Sequence, residues 1–161
     1  MLPVLSDAGI LQGVSRGHTI VVPDMAEREI LQVAAAVIEH RGRYLITCRE
    51  AGVHLAGYWE FPGGKREEDE TFEACARREV FEEVGIEITA PKPLTVTHYD
   101  YPDKSVELHF FTCSLSQGDP QPLGCAEFRW VTPEELAEYS FPPADGPVVA
   151  HLMKPAGSRE T

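Results

Sequence analysis

The sequence predicts an α+β domain, a β-sheet covered by helices in a three-layer α/β/α arrangement. Three observations carry this. Apolar runs of strand length dominate up to residue 61, one amphipathic helical pattern interrupts them between 71 and 84, and strand patterns then resume before a short closing helix. A doubly wound parallel sheet would instead alternate strands and helices throughout. The chain has 161 residues, no internal repeat and no linker-like stretch, which fits one domain.

Residues 31–38 form the first apolar run, His40-Arg-Gly-Arg43 supplies a turn, and residues 44–48 read as the hairpin partner. Tyr58-Trp-Glu-Phe61 reads as a short strand, and Pro62-Gly-Gly64 is expected to stop regular structure. Thr71 suits a helix N-cap, with Glu73 in the first turn. Phe72, Cys75, Ala76, Val80 and Val84 recur at helical spacing, and Gly85 is placed to end that helix. Residues 94–101 and 105–113 read as two strands around Pro102-Asp103-Lys104, with Val106, Leu108, Phe110 and Thr112 on one face. Residues 127–131 are a further strand and 133–139 a short helix. A last helix spans 146–153, with Pro147 in its first turn.

The domain is expected over residues 25–154, with an extension over 1–24 and a tail over 155–161. Residues 1–24 lack the basic start and unbroken apolar core of a signal peptide. The periodic pattern begins after Met25, so either Met25 is the native start or residues 1–24 are a loose extension.

Fourteen basic and 26 acidic residues give a net charge of −12, and 43% of residues are hydrophobic. That hydrophobic share excludes a disordered acidic tail. No apolar run approaches the roughly 18–20 residues of a membrane span. The acidic balance argues against a nucleic-acid partner, which needs a basic surface. It leaves room for a phosphate-bearing substrate, because a bound cation reverses the local sign. The acids are concentrated: residues 65–88 hold nine against four bases.

Cys48, Cys75, Cys113 and Cys125 show no C-x-x-C spacing, and the six histidines show no metal-ligand spacing. The cysteines read as small buried hydrophobes in a reducing, cytoplasmic setting.

On the helix after Thr71, the offsets of Glu79, Glu82 and Glu83 put all three on one face. Three like charges there cost helix stability, while the opposite apolar stripe can anchor the helix. Such a set is either a solvated acidic face or a seat for a hard divalent cation with oxygen ligands. Gly63 and Gly64 allow a sharp backbone approach that could aim a carbonyl at the same ion.

Spacing separates these readings. From Gly64 the chain runs through five residues to Glu70, seven more to Arg78, then Glu79, Val80, Glu82, Glu83, Gly85 and Ile86. This resembles the Nudix box at every defined position, far more specific than a lone glycine motif. Leu31-Gln-Val-Ala34, Thr47-Cys-Arg49, Glu60-Phe-Pro-Gly-Gly-Lys65, Tyr101-Pro-Asp103 and Phe141-Pro-Pro-Ala144 resemble the MutT branch, over about residues 30–153. The resemblance implies the Nudix fold, a mixed sheet sandwiched between helices. It also implies hydrolysis of nucleoside triphosphates to monophosphate and pyrophosphate with Mg²⁺ or Mn²⁺, through water attack at the β-phosphorus. Oxidised purines such as 8-oxo-dGTP and cytidine triphosphates are the substrate alternatives, for a monomer or a homodimer. A non-catalytic nucleotide sensor of the same family usually loses box glutamates, and this chain keeps all four.

By this resemblance Glu79, Glu82, Glu83 and the Gly63 carbonyl hold the metal, with Glu79 as base or water-orienting residue. Glu70 and Arg78 pair to brace the loop against the helix. Many relatives carry a loop glutamate where this chain has Gly124, which makes Glu127 a candidate substitute ligand. Arg49, Phe61, Tyr101, Asp103, Val106 and Asp145 match positions of the nucleotide pocket. The MutT pattern has asparagine in place of Asp145. An ionised aspartate only accepts hydrogen bonds, so amino or imino donors on the base are expected there. A competing role for Asp145 is to cap the last helix.

Overall fold

The structure, a computed structural model, describes residues 29–155 and 157. The extension over 1–24 and most of the tail lie outside these residues. In order come β1 (Ile30–His40), β2 (Arg43–Cys48), β3 (Trp59–Glu60), β4 (Gly63–Lys65), α1 (Phe72–Val84) and β5 (Glu87–Ile88). They are followed by β6 (Lys92–Tyr101), β7 (Lys104–Gln117), β8 (Glu127–Val131) and α2 (Gly146–Met153).

The strands make one sheet in the order β3-β2-β1-β7-β5, with β4 also on β1, β6 on β7 and β8 on β2. β1 and β7 run parallel, and the other pairs are antiparallel. The sheet is therefore mixed. Alternation along β1 builds both layers. Ala35 and Val37 face Phe61, Phe110, Val148 and Leu152 on the α2 side. Ala34, Ala36 and Ile38 face Cys75, Ala76, Val80 and Val84 of α1.

The predicted signals delimit α1. The Thr71 hydroxyl accepts from the Ala74 N–H at 3.0 Å, and Gly85 turns left-handed at φ 74°. The N–H groups of Gln121, Leu123 and Gly124 then satisfy the Val84 and Glu83 carbonyls at the helix end.

Two expectations need correction. Pro62-Gly-Gly64 does not stop regular structure: Gly63–Lys65 is β4, paired with β1 at Val33, Ala34 and Ala35. β1 meets β2 only at Glu39 and His40 in its ladder, so its earlier residues have an edge to offer. A Cβ on Gly63 would lie 2.1 Å from the Ala34 carbonyl oxygen, so glycine serves close approach here rather than a turn. The segment at 133–139 is a 3-10 turn over Glu134–Glu138 rather than an α-helix, and a second such turn spans Pro143–Asp145. Both are too short and proline-bounded to settle into α geometry.

Gly63→Ala should lower stability by about 3 kcal/mol, because its methyl meets backbone. A Cβ on Gly64 meets only the Glu79 carboxyl, which can move. Thermal melts should therefore place Gly64→Ala well above Gly63→Ala; equal midpoints would contradict the placement of β4.

Candidate active site

The acidic helix and β4 meet face to face. A Cβ on Gly64 would sit 2.3 Å from the Glu79 carboxyl, so only glycine admits Glu79 there. The Gly63 N–H donates to Glu83 Oε1 at 3.3 Å. The β1–β4 register makes Ala34 and Gly64 the mutually bonded pair, which turns the Gly63 backbone groups away from β1 and toward α1.

The three glutamates are not equivalent. The Glu79 side chain is 20% exposed and that of Glu82 57%. Burial, then Glu60 and Glu79, push the Glu83 carboxyl up to about 8. Burial also raises Glu79, against the pull of Arg78. Arg78 is the counterweight. Its Nε and Nη2 make a two-point contact with Glu70 at 2.6 and 2.9 Å, and Nη1 reaches Glu79 at 2.9 Å and Glu82 at 3.2 Å. The Arg78 hydrogen bonds hold Glu70 down at about 2. The expected loop-to-helix brace is present.

A cavity of about 260 Å³ opens on the α2 side of the sheet. Val33, Val106 and Leu108 floor it, and its polar lining includes Arg49, Glu60, Tyr101 and Asp145, with Lys65 and Lys104 adding positive charge. Gly63 and Gly64 line it too, so β4 joins the cavity to the carboxylates. Arg49 Nη1 pairs with Glu60 at 2.9 Å, and its Nε donates to the His54 carbonyl at 2.6 Å. The His54 ring meets Tyr101 edge-on. Phe61 does double duty: it lines the cavity, stacks on Phe141 and packs against Phe110 in the core.

Asp145 is 5% exposed, and among the described residues its carboxyl makes no hydrogen bond. It does not cap α2, so the capping role fails. Burial, then Glu60, push it up to about 8 despite Arg49. Burial therefore favours the neutral acid, which donates as well as accepts, over the ionised acceptor that the sequence suggested.

Two expected residues are not brought in. Asp103 is exposed in the β6–β7 turn and does not line the cavity, although Lys104 beside it does. Glu127 is exposed on β8, 3.4 Å from Arg129 and opposite Cys48. The residue beside Glu83 is Gly124, where a Cβ would lie 3.4 Å from the Glu83 Cα. Sequence reasoning missed Glu60, whose carboxyl burial raises despite the Arg49 pair. A charge between Trp59 and Phe61 in a strand was the available signal. The cysteines are free, and all but Cys48 are buried.

Among the described residues, no three acidic, His or Cys side chains converge into a closed metal cage. Arg78 draws Glu79 and Glu82 toward itself, whereas Glu83 faces Gly63. The donor set nevertheless fits a hard divalent cation. It is all oxygen, and its half-buried members Glu79 and Glu83 repel one another, with Arg78 relieving Glu79 and the Gly63 N–H relieving Glu83.

A family model for the NUDIX domain matches residues 33–151. The CTP pyrophosphohydrolase of Escherichia coli K12 is 34% identical over 125 residues, covering 78% of this chain and 93% of the relative. The 8-oxo-dGTP diphosphatase of the same strain is 35% identical over 125 residues, covering 77% and 97%. The crystal structure of the MutT protein from Methanosarcina mazei Go1 shares the fold, with TM-score 0.70 and 24% identity over 78% of this chain and 94% of that one. The solution structure of the E. coli ORF135 protein matches with TM-score 0.68 and 32% identity over 80% and 91%. With its box, sheet and helices in this register, the chain belongs to the NUDIX family and is a Nudix hydrolase of the MutT type.

Proposed function

We propose that this chain is a Mg²⁺-dependent nucleoside triphosphate pyrophosphohydrolase that removes oxidised purine nucleotides such as 8-oxo-dGTP. The observation that carries this reading is the joint at β4. One short strand borders both a base-sized cavity and a set of carboxylates of which Glu79 and Glu83 are half-buried, so a nucleotide can span from one to the other. The names of the two E. coli relatives support the substrate class.

Glu79, Glu82, Glu83 and the Gly63 carbonyl would hold the divalent cation, which supplies charge neutralisation at phosphate oxygens and activation of water. Arg78 fixes the glutamate side chains and limits the entropy lost when they must converge. Glu79, held by Arg78 against Gly64, is the candidate to orient or deprotonate the attacking water. Hydrolysis at the β-phosphorus gives nucleoside monophosphate and pyrophosphate. Tyr101, Val106 and Phe61 offer surface for the base, and Arg49 a charge at the cavity wall.

A protonated Asp145 pairs with an edge where an N–H donor adjoins an acceptor, as N7–H adjoins O6 in 8-oxoguanine. The cytosine edge, N4–H₂ beside N3, fits the same acid, so cytidine triphosphates are the second reading. A panel of 8-oxo-dGTP, dGTP, CTP, modified dCTP and ADP-ribose, with Mg²⁺ and with EDTA, tests both. Monophosphate and pyrophosphate should appear only with metal and fastest from 8-oxo-dGTP. Metal-independent turnover, or preference for ADP-ribose, would overturn the proposal.

Glu83→Gln should cut turnover by about a hundredfold or more, beyond the effect of losing an outer partner. It should also leave the melting temperature at neutral pH unchanged or higher, because a raised carboxyl weakens the fold as pH climbs from its unfolded value toward about 8. Preserved turnover would remove Glu83 from the site.

Asp145→Asn mimics the neutral acid. The wild-type KM should rise above about pH 8, as Asp145 ionises and loses its donor, whereas the variant's KM stays flat. The stability sign agrees: a raised acid costs stability increasingly from its unfolded pKa upward, so the variant's gain in melting temperature should be larger at pH 8 than at pH 5. Identical pH profiles for the two proteins would contradict the buried proton.

A further inference from the structure

Beyond the site, a closed ring of contacts lies on the α1 side of the sheet. Arg66, in the loop after β4, donates through both Nε and Nη2 to the side-chain oxygen of Gln32 on β1. That fixes the Gln32 amide, whose Nε2 donates to Glu107 Oε1 on β7 at 3.3 Å. The other Glu107 oxygen meets His109 Nε2 at 2.9 Å. The His109 ring lies flat on Phe72, the first residue of α1, with centroids 3.6 Å apart and planes at 17°. The Arg66 guanidinium closes the ring, 5.1 Å over the same Phe72. His98, opposite Glu107 on β6, is the other titratable group facing it.

The ring has an output. Arg66 Nη1 also donates to the Glu70 carbonyl at 2.7 Å. Glu70 belongs to the run Glu67-Glu68-Asp69-Glu70, which has no apolar anchor and holds Asp69 at φ 67°. Arg66 is what ties this acidic loop to the sheet. Glu70 in turn grips Arg78, and Arg78 grips Glu79 and Glu82.

We infer that Arg66, Gln32, Glu107 and His109 are positioning residues for the carboxylate cluster, acting through Glu70 and Arg78. The inference rests on the reading of Glu79, Glu82 and Glu83 as a cation seat. A purely structural role, holding the α1 start on the sheet, would lower stability without changing cation affinity through Glu70.

The test is Mn²⁺ binding to the nucleotide-free protein, followed by electron paramagnetic resonance of the free ion. Glu107→Ala should weaken binding about fivefold. Glu107→Gln, whose amide oxygen still accepts from Gln32 and whose amide N–H meets Nε2 of His109 in its Nδ1–H tautomer, should bind as the wild type does. In a Glu70→Gln background, Glu107→Ala should weaken binding no further, because the route is already cut. If Glu107→Ala fails to fold, Arg66→Lys, which keeps the charge but not the planar fork, carries the same comparison. Binding within twofold of wild type, or effects that multiply in the double variant, would overturn the inference. The cation seat itself is checked separately by Glu83→Gln: if that variant binds Mn²⁺ as tightly as wild type, or wild type does not bind, both readings fall.

Discussion

The site is governed by a conflict between carboxylates and burial. Glu83, Glu79, Glu60 and Asp145 are all raised by removal from water, and Glu60 and Glu79 add repulsion at Glu83. Buried charge without a partner is among the costliest arrangements a fold can hold. Two arginines offset part of that cost: Arg78 among the box glutamates and Arg49 beside Glu60. What they leave uncompensated lies at Glu83 and Asp145. Those are the places where a cation and a base respectively would supply the missing partner.

The scaffold serves this conflict by close backbone approach. Ala34, Ala35 and Ala36 of β1 let α1 pack on one face and the cavity form on the other. Gly63 then brings β4 against β1 where no side chain fits, and Gly64 leaves room for the Glu79 carboxyl. β4 is three residues long, yet it gives Glu83 an N–H donor and gives the cavity part of its wall. The loop after β8's predecessor strand contributes differently. Gly124 lies beside the helix end, where a side chain would stand in ordinary contact with Glu83.

Much of this was legible in the sequence because it is local. Period and caps gave α1 its limits, and Thr71 and Gly85 act as their types require. The box spacing identified Glu70, Arg78, Glu79, Glu82 and Glu83, whose geometry follows from helical offsets and one loop. β4 was hidden because Gly-Gly signals a turn in isolation, and only the β1 edge makes it a strand. Burial is also nonlocal, so the sequence could not show that the fold pushes the Asp145 carboxyl up. Nor could it show that Glu60 faces the same cavity, or that Glu127 points away to Arg129. The ring from Arg66 to His109 joins residues more than forty apart and has no motif.

On this reading the acidic end of α1 is a seat for a divalent cation. Its most direct test is the melting temperature of the wild-type protein, without nucleotide, as Mg²⁺ is increased at constant ionic strength. A ligand that binds only the folded state raises stability with the logarithm of its concentration once the site fills. Stability should rise in this way with Mg²⁺ and not with Na⁺ at matched ionic strength. A melting temperature that does not respond to Mg²⁺, or that responds equally to Na⁺, would contradict it.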